Sequence, residues 1–290
     1  MLPVIDAHLH LWDMADFVPP WLPEAPSLLR TFTLDDWRAE AGPSNGEWQL
    51  DRAVYVEIDA APQDRARENK LILNRIRKGD SSLAGAVVAA DLLGKNVREE
   101  LAPWLGDAGL KGIRHVLHTP ASPAGTCLKP EFVANIKRLG ELNLVFDACM
   151  RQGELGDLAV LAKAAPETRI VLDHCGNPGP ALLSEGPDSP KLAAWRVGFS
   201  QLGECPNVVC KLSGLDLGSS KESIQRGIDF CFEVFGEDRL IWASNYPVCK
   251  LGTPLRPWLD AVHGVVAQHG EAALMKIFAL NAARAYRLAS

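Results

Sequence analysis

Apolar residues along this chain gather in short, nearly continuous runs separated by amphipathic stretches of helical length. Runs at residues 52–58, 83–90, 110–116, 142–149, 169–174, 208–212 and 240–243 have few polar breaks, the pattern of strands buried on both faces. The N-terminal run Val4-Ile5-Asp6-Ala7-His8-Leu9-His10-Leu11-Trp12 brings the number to eight. Helical patterns lie between them at 64–78, where Leu71, Ile72 and Ile76 form one stripe, and at 97–108, 130–140, 154–165, 191–203 and 220–235. A long C-terminal helix or pair follows over 255–287. Such alternation implies parallel strands joined by right-handed crossovers. Eight units predict an α/β fold, a (β/α)8 TIM barrel that takes residues 1–290 as one domain. A doubly wound open sheet is the alternative, but no G-x-G-x-x-G or G-x-x-x-x-G-K-[ST] loop follows any of the strands. Residues 14–50, rich in Pro and Trp, hold no sustained period and read as a long loop after strand one that covers the mouth of a site.

Composition narrows the function. Of 290 residues, 47% are hydrophobic and 23% charged, enough for a sizeable core, and the net charge of −6 is spread along the chain. No basic patch suits nucleic acid, no run reaches membrane-spanning length, and the start lacks a charged region followed by a long apolar one. A cytoplasmic enzyme acting on a small molecule is expected, with an oligomer left open. Seven cysteines at scattered spacings, with no C-x-x-C, read as reduced thiols.

A barrel places its chemistry at the C-terminal ends of its strands. Polar groups stand at those ends: His8 and His10 after strand one, Glu57 and Asp59 after strand two, and Lys111, Arg114, His115 and His118 along strand four. Asp147, Asp173-His174, Lys211 and Ser244-Asn245-Tyr246-Pro247 follow on strands five to eight. In a regular strand the i, i+2 spacing of His8 and His10 puts both imidazoles on one face, with Ile5, Ala7 and Leu9 on the other. Two neutral imidazoles so placed share a divalent metal or act jointly on one oxyanion.

These residues carry a family resemblance. The HLHLW start, LKGIRHVLH at 110–118, IVLDHCGNPGP at 170–180, NVVCKLSGL at 207–215 and FGEDRLIWASNYPV at 235–248, in this order, resemble the amidohydrolase superfamily. Within it they are similar to the amidohydrolase-related branch of sugar-acid lactonases and the 2-pyrone-4,6-dicarboxylate lactonase. The resemblance implies a hydrolase that opens a small carboxylate-bearing cyclic ester. His8, His10, His174 and Asn245 would be its catalytic group, and Arg114 would clamp a substrate acid. One zinc on His8, His10 and His174, or no metal at all, completes the implied set. Glu57, Lys211, His118 and Trp12 are further candidates for substrate contact. Against this, Glu57 can pair with Arg114, Lys211 with Asp173, and Trp12, like Trp21, can pack the long loop; His118 can be a solvated loop residue. Where many relatives read Ser-Asp-Trp-Pro, this chain has Ser244-Asn245-Tyr246-Pro247, so an amide replaces the acidic group expected to activate water. Two alternatives remain open, a metal-dependent decarboxylase of the same superfamily and a catalytically weak binding relative.

Overall fold

A computed structural model describes residues 1–44, 46–94, 96–215 and 220–289. Eight parallel strands run in chain order: β1 Leu2–Leu9, β2 Trp48–Val56, β3 Leu83–Ala89, β4 Leu110–Arg114, β5 Val145–Ala148, β6 Ile170–Leu172, β7 Val208–Leu212 and β8 Leu240–Trp242. The barrel closes just past β8, where Asn245 N–H donates to His8 O (3.0 Å) and His10 N–H to Tyr246 O (2.7 Å). Asp6 ties this seam together. Its buried carboxylate accepts from the backbone N–H groups of His8 and Ser244, the Ser244 hydroxyl and the Trp37 indole. A carboxylate with four donors is fully satisfied without solvent, which is what its burial requires.

The alternating pattern sorts two cores. Ile5, Ala7, Val54, Val56, Val87, Val145, Val171, Val209 and Ile241 fill the barrel axis. Ala282, Ala285 and Tyr286 of a C-terminal helix, α11 (Asn281–Tyr286), pack with them. One strand repeat further on, the same faces carry Asp147, Asp173 and Lys211, so the polar floor of the site rests on the apolar layer. The outward faces pack under the helices, among them α2 (Arg65–Arg77), α4 (Pro130–Glu141), α5 (Leu155–Ala164) and α8 (Lys221–Phe235). Among the described residues no helix is long and apolar enough to cross a membrane.

Several boundaries differ from expectation. The run 14–50 is not structureless: it contains α1, Leu34–Ala41, started by a capping box in which Thr33 and Asp36 bond each other's backbone N–H. The helix expected over 97–108 stops at Leu101, two residues before Pro103, as the clash of a proline ring with the preceding turn demands. The C-terminal region breaks into Leu255–Val266, Glu271–Met275 and α11, with a π turn at Lys276–Leu280. β5 begins at Val145 because Leu142 ends α4 and Asn143 turns left-handed, φ 57°. In β1 the pairing register shifts between Asp6 and Leu9. Ile5 and Ala7 therefore share the axial side with His8, whereas Leu9 joins the outer core; a regular strand would have put all three opposite the histidines.

Candidate active site

His174 is presented by a turn, not by a strand. β6 ends at Leu172, and His174, Cys175 and Asn177 then all take left-handed φ of 51–54°. That turn needs space from the neighbouring strand end. A Cβ at Gly214 (φ 67°) would lie 2.5 Å from His174 Cβ, so only glycine fits after β7. The adjacent Ser213 Oγ meets His174 Nδ1 at 2.8 Å. The Lys211-Leu-Ser-Gly214 segment thus supplies the floor, the hydrogen bond and the clearance that fix one imidazole.

His8 stands at the centre. Its Nδ1 lies 3.0 Å from Lys211 Nζ and 3.2 Å from Asp173 Oδ1, and its Nε2 faces His10 Nε2 at 3.1 Å. His10 Nδ1 lies 2.8 Å from the Val56 carbonyl, which can only accept, so neutral His10 carries its hydrogen on Nδ1 and presents a lone pair at Nε2. Burial holds His8 and His10 well below the ordinary imidazole value and brings His174 down to about 4. All three are neutral near pH 7. In one tautomer, Lys211 donates to His8 Nδ1, His8 Nε2–H to His10 Nε2, and His10 to Val56, a closed chain of donors. In the other, His8 Nδ1–H turns to Asp173 and two lone pairs face each other, an arrangement that calls for a cation.

The acidic partners suit either state. Lys211 Nζ contacts Asp147 Oδ2 at 2.6 Å and Asp173 Oδ1 at 2.9 Å, and the Tyr286 hydroxyl donates to Asp147. Burial pushes the Asp147 carboxyl up to about 6, while Lys211 and His8 hold Asp173 well below the usual range against its own desolvation. Among the described residues neither Asp173 oxygen has an aligned hydrogen bond, although Lys211 and His8 stand at ion-pair distance. His8, Asp173 and His174 offer ligand atoms within 4.8 Å of one another, so Asp173 stands in this cluster where His10 was expected, His10 Nε2 facing His8 Nε2 instead. This donor set is compatible with one divalent cation, in surroundings where Lys211 already supplies positive charge and Asn245 adds no negative charge.

Arg114 reaches the same point from β4. Its Nε donates to Glu57 Oε1 and its Nη2 to the Glu57 main-chain oxygen. Nη1 alone is left for other partners, 3.4 Å from His8 Nε2 and 3.8 Å from Asp173 Oδ2. Against the cost of burial, the Glu57 carboxylate keeps the guanidinium above its ordinary pKa. The pairing with Glu57, weighed as the alternative for Arg114, is thus present: the Nε–Nη2 edge of the fork is turned to Glu57, and the Nη1 NH2 group is left for other contacts.

A cavity of about 340 Å³ opens at this end of the barrel, and His10, Arg114, His118, His174 and Asn245 all line it. Three expected substrate contacts are not in its wall. Glu57 and Lys211 are buried in their ion pairs, and Trp12 is packed away, its indole donating to Arg30 O. Trp12 borders a separate cavity of about 250 Å³ with Tyr55 and Glu68. Trp21 takes the expected place instead, held edge-on to Trp12 and donating to Ile58 O at 2.7 Å. His118 sits exposed at the rim with Nδ1 3.2 Å from Cys149 Sγ. Sequence reasoning missed Cys149, which read as one more packing thiol, and gave Asp59 no role although it follows β2. The available signal for Asp59 was its place at a strand end.

The amidohydrolase family model matches residues 5–288. An L-fucono-1,5-lactonase of Burkholderia ambifaria is 30% identical over 85% of this chain and 81% of its own. An L-fucono-1,5-lactonase of Burkholderia multivorans is 27% identical over 98% and 96%. The crystal structure of a Burkholderia multivorans amidohydrolase with bound zinc superposes with a TM-score of 0.83 at 26% identity, covering 99% of both chains.

Proposed function

Because the chain belongs to the amidohydrolase family, we propose that it is a lactonase that opens a sugar-acid lactone in the cavity at the C-terminal mouth of the barrel. The observation that carries this reading is the convergence of His10, His174, Asn245 and Arg114 on one cavity of about 340 Å³. That volume lies in the usual small-ligand range of about 300–1,000 Å³. Relatives at 27–30% identity that bear the name L-fucono-1,5-lactonase support the substrate class.

Ring opening needs a polarised carbonyl, an oriented water and a protonated leaving oxygen. Arg114 Nη1 is the charged donor for the carbonyl oxygen, and the Asn245 amide gives a neutral one. Ser213 orients His174 through Nδ1, which leaves its Nε2 for the ring. A divalent ion such as zinc would be held by His8, Asp173 and His174, the set whose ligand atoms lie within 4.8 Å of one another, and would supply Lewis-acid polarisation of the carbonyl. Burial of the histidines excludes bulk water, so each donor acts in a medium of lower dielectric than solvent.

The charge balance of the cavity wall favours one of two kinds of lactone. A pyrone dicarboxylate brings two negative charges that need cationic partners, whereas the cavity wall holds one half-committed arginine and a carboxylate, Asp59. A polyhydroxylated neutral ring fits that balance better. The test is proton release, followed with a pH indicator, from L-fucono-1,5-lactone, L-rhamnono-γ-lactone and 2-pyrone-4,6-dicarboxylate, each corrected for spontaneous hydrolysis. Turnover of a sugar lactone with the pyrone inert supports the reading. CO2 release from an aromatic acid without lactone turnover replaces it with a decarboxylase.

A further inference from the structure

We propose that Asp59 is the general base of this site; the inference rests on the lactonase reading. Ring opening by water forms one C–O bond and breaks the ring C–O bond, so the attacking water must lose a proton and the departing ring oxygen must gain one. An amide accepts neither duty, because Asn245 has no lone pair basic enough near neutral pH. Among the described residues lining the cavity, Asp59 is the one carboxylate.

Its backbone is held as a catalytic group's should be. Asp59 sits in the left-handed region, φ 52°, a conformation that costs a non-glycine residue free energy and persists where the surroundings enforce it. Three hydrogen bonds enforce it here. Asp59 N–H donates to Glu57 Oε2 (2.7 Å), Ile58 N–H donates to Glu68 Oε1 (2.9 Å), and Ile58 O accepts from the Trp21 indole (2.7 Å). Asp59 is half-buried in the cavity wall, and among the described residues its carboxylate makes no hydrogen bond or ion pair. Glu57 is thus a positioning residue twice over, through Arg114 and through Asp59. Burial first, and the neighbouring Glu57 carboxylate second, raise the Asp59 carboxyl above its ordinary range, with Arg114 and Arg65 opposing. A raised value strengthens a carboxylate as a base.

In the step itself, water attacks the lactone carbonyl carbon while its proton passes to an Asp59 oxygen. The tetrahedral intermediate collapses with cleavage of the ring C–O bond, and the proton on Asp59 goes to the departing oxygen. The carboxylate is regenerated and no redox partner is needed.

The experiment compares wild type, Asp59→Asn, Asp59→Glu, Asn245→Asp and the double variant Asp59→Asn/Asn245→Asp, on L-fucono-1,5-lactone and L-rhamnono-γ-lactone. Asparagine tolerates left-handed φ, so Asp59→Asn keeps the fold, checked by circular dichroism and melting temperature. A roughly 10²–10⁴-fold fall in kcat is expected for it. The acid limb of the kcat/KM profile should vanish with it, Asp59→Glu should retain that limb, and the double variant should recover at least tenfold over Asp59→Asn. A folded Asp59→Asn within threefold of wild type overturns the base assignment and leaves the lactonase reading standing. Wild-type protein inert toward both lactones overturns the two together.

Discussion

Replacing Arg114 by Met should cost stability as much as activity, because the guanidinium is the charge partner of a buried carboxylate. Arg114 is 6% exposed and Glu57 2%, and two of the three guanidinium nitrogens bond to Glu57. Methionine fills much of the same space but provides no donor. Glu57 would keep only the Asp59 N–H bond on Oε2, so a buried charge would lose its compensation. Removing one member of such a pair costs about 3–5 kcal/mol. At roughly 2–4 °C per kcal/mol for chains a little shorter than this one, the melting temperature should fall by about 10 °C. Urea unfolding followed by tryptophan fluorescence and far-ultraviolet circular dichroism gives the free energy directly. The double variant Glu57→Gln/Arg114→Met removes both charges and should regain more than half of the loss, without regaining lactone turnover. An Arg114→Met protein within about 1 kcal/mol of wild type, or a double variant no more stable than the single one, would refute the buried-pair argument.

Other measurements probe other parts of the structure. Burial pushes the Glu68 carboxyl up to about 8, above an ordinary value of 4.5, so the native state binds this proton more tightly and stability falls as pH rises from about 4.5 to 8. Glu68→Gln should remove that component of the slope, and an unchanged slope in urea titrations at pH 5, 6, 7 and 8.5 would contradict it. Trp21→Phe deletes the 2.7 Å bond to Ile58 O, and the net worth of one hydrogen bond, about 0.5–1.5 kcal/mol, translates to a roughly 2–13-fold fall in kcat/KM; a change in melting temperature alone would make Trp21 a purely structural residue. Dialysis against a chelator should shift the melting temperature by less than about 2 °C, because one tautomer of His8 closes the hydrogen-bond chain from Lys211 through His10 to Val56 without an ion. A drop of several degrees would mean that a bound ion stabilises the native barrel.

Strand identity was legible because burial on both faces writes itself as apolar runs, and the barrel rule then put His8, His10, Arg114, His174 and Asn245 at one end. Side-chain direction at the strand ends was not legible. The register shift in β1 turns Ile5 and Ala7 to the same side as His8, and no feature of the alternation announces it. His174 owes its direction to successive left-handed residues, of which Gly176 and Asn177 are the type that favours such backbone but His174 and Cys175 are not, and the space for them comes from Gly214 on another strand end. Long-range pairing hid the rest: Arg114 could equally have met substrate or Glu57, and 57 residues of separation say nothing about which. α1 was a different kind of miss. Its Thr33-Leu-Asp-Asp36 start is a capping signature in plain view, overshadowed by the prolines before it.

The crystal structure of the Asp59→Asn protein soaked with L-fucono-1,5-lactone bears most directly on where and how this chain acts. The ring is expected in the cavity between Arg114 and Asn245, its carbonyl oxygen within hydrogen-bond distance of Arg114 Nη1 and residue 59 on the opposite side of the carbonyl carbon. Lactone bound only in the separate cavity beside Trp12, or turned with its carbonyl away from Arg114 and His174, would contradict the assignment of the site.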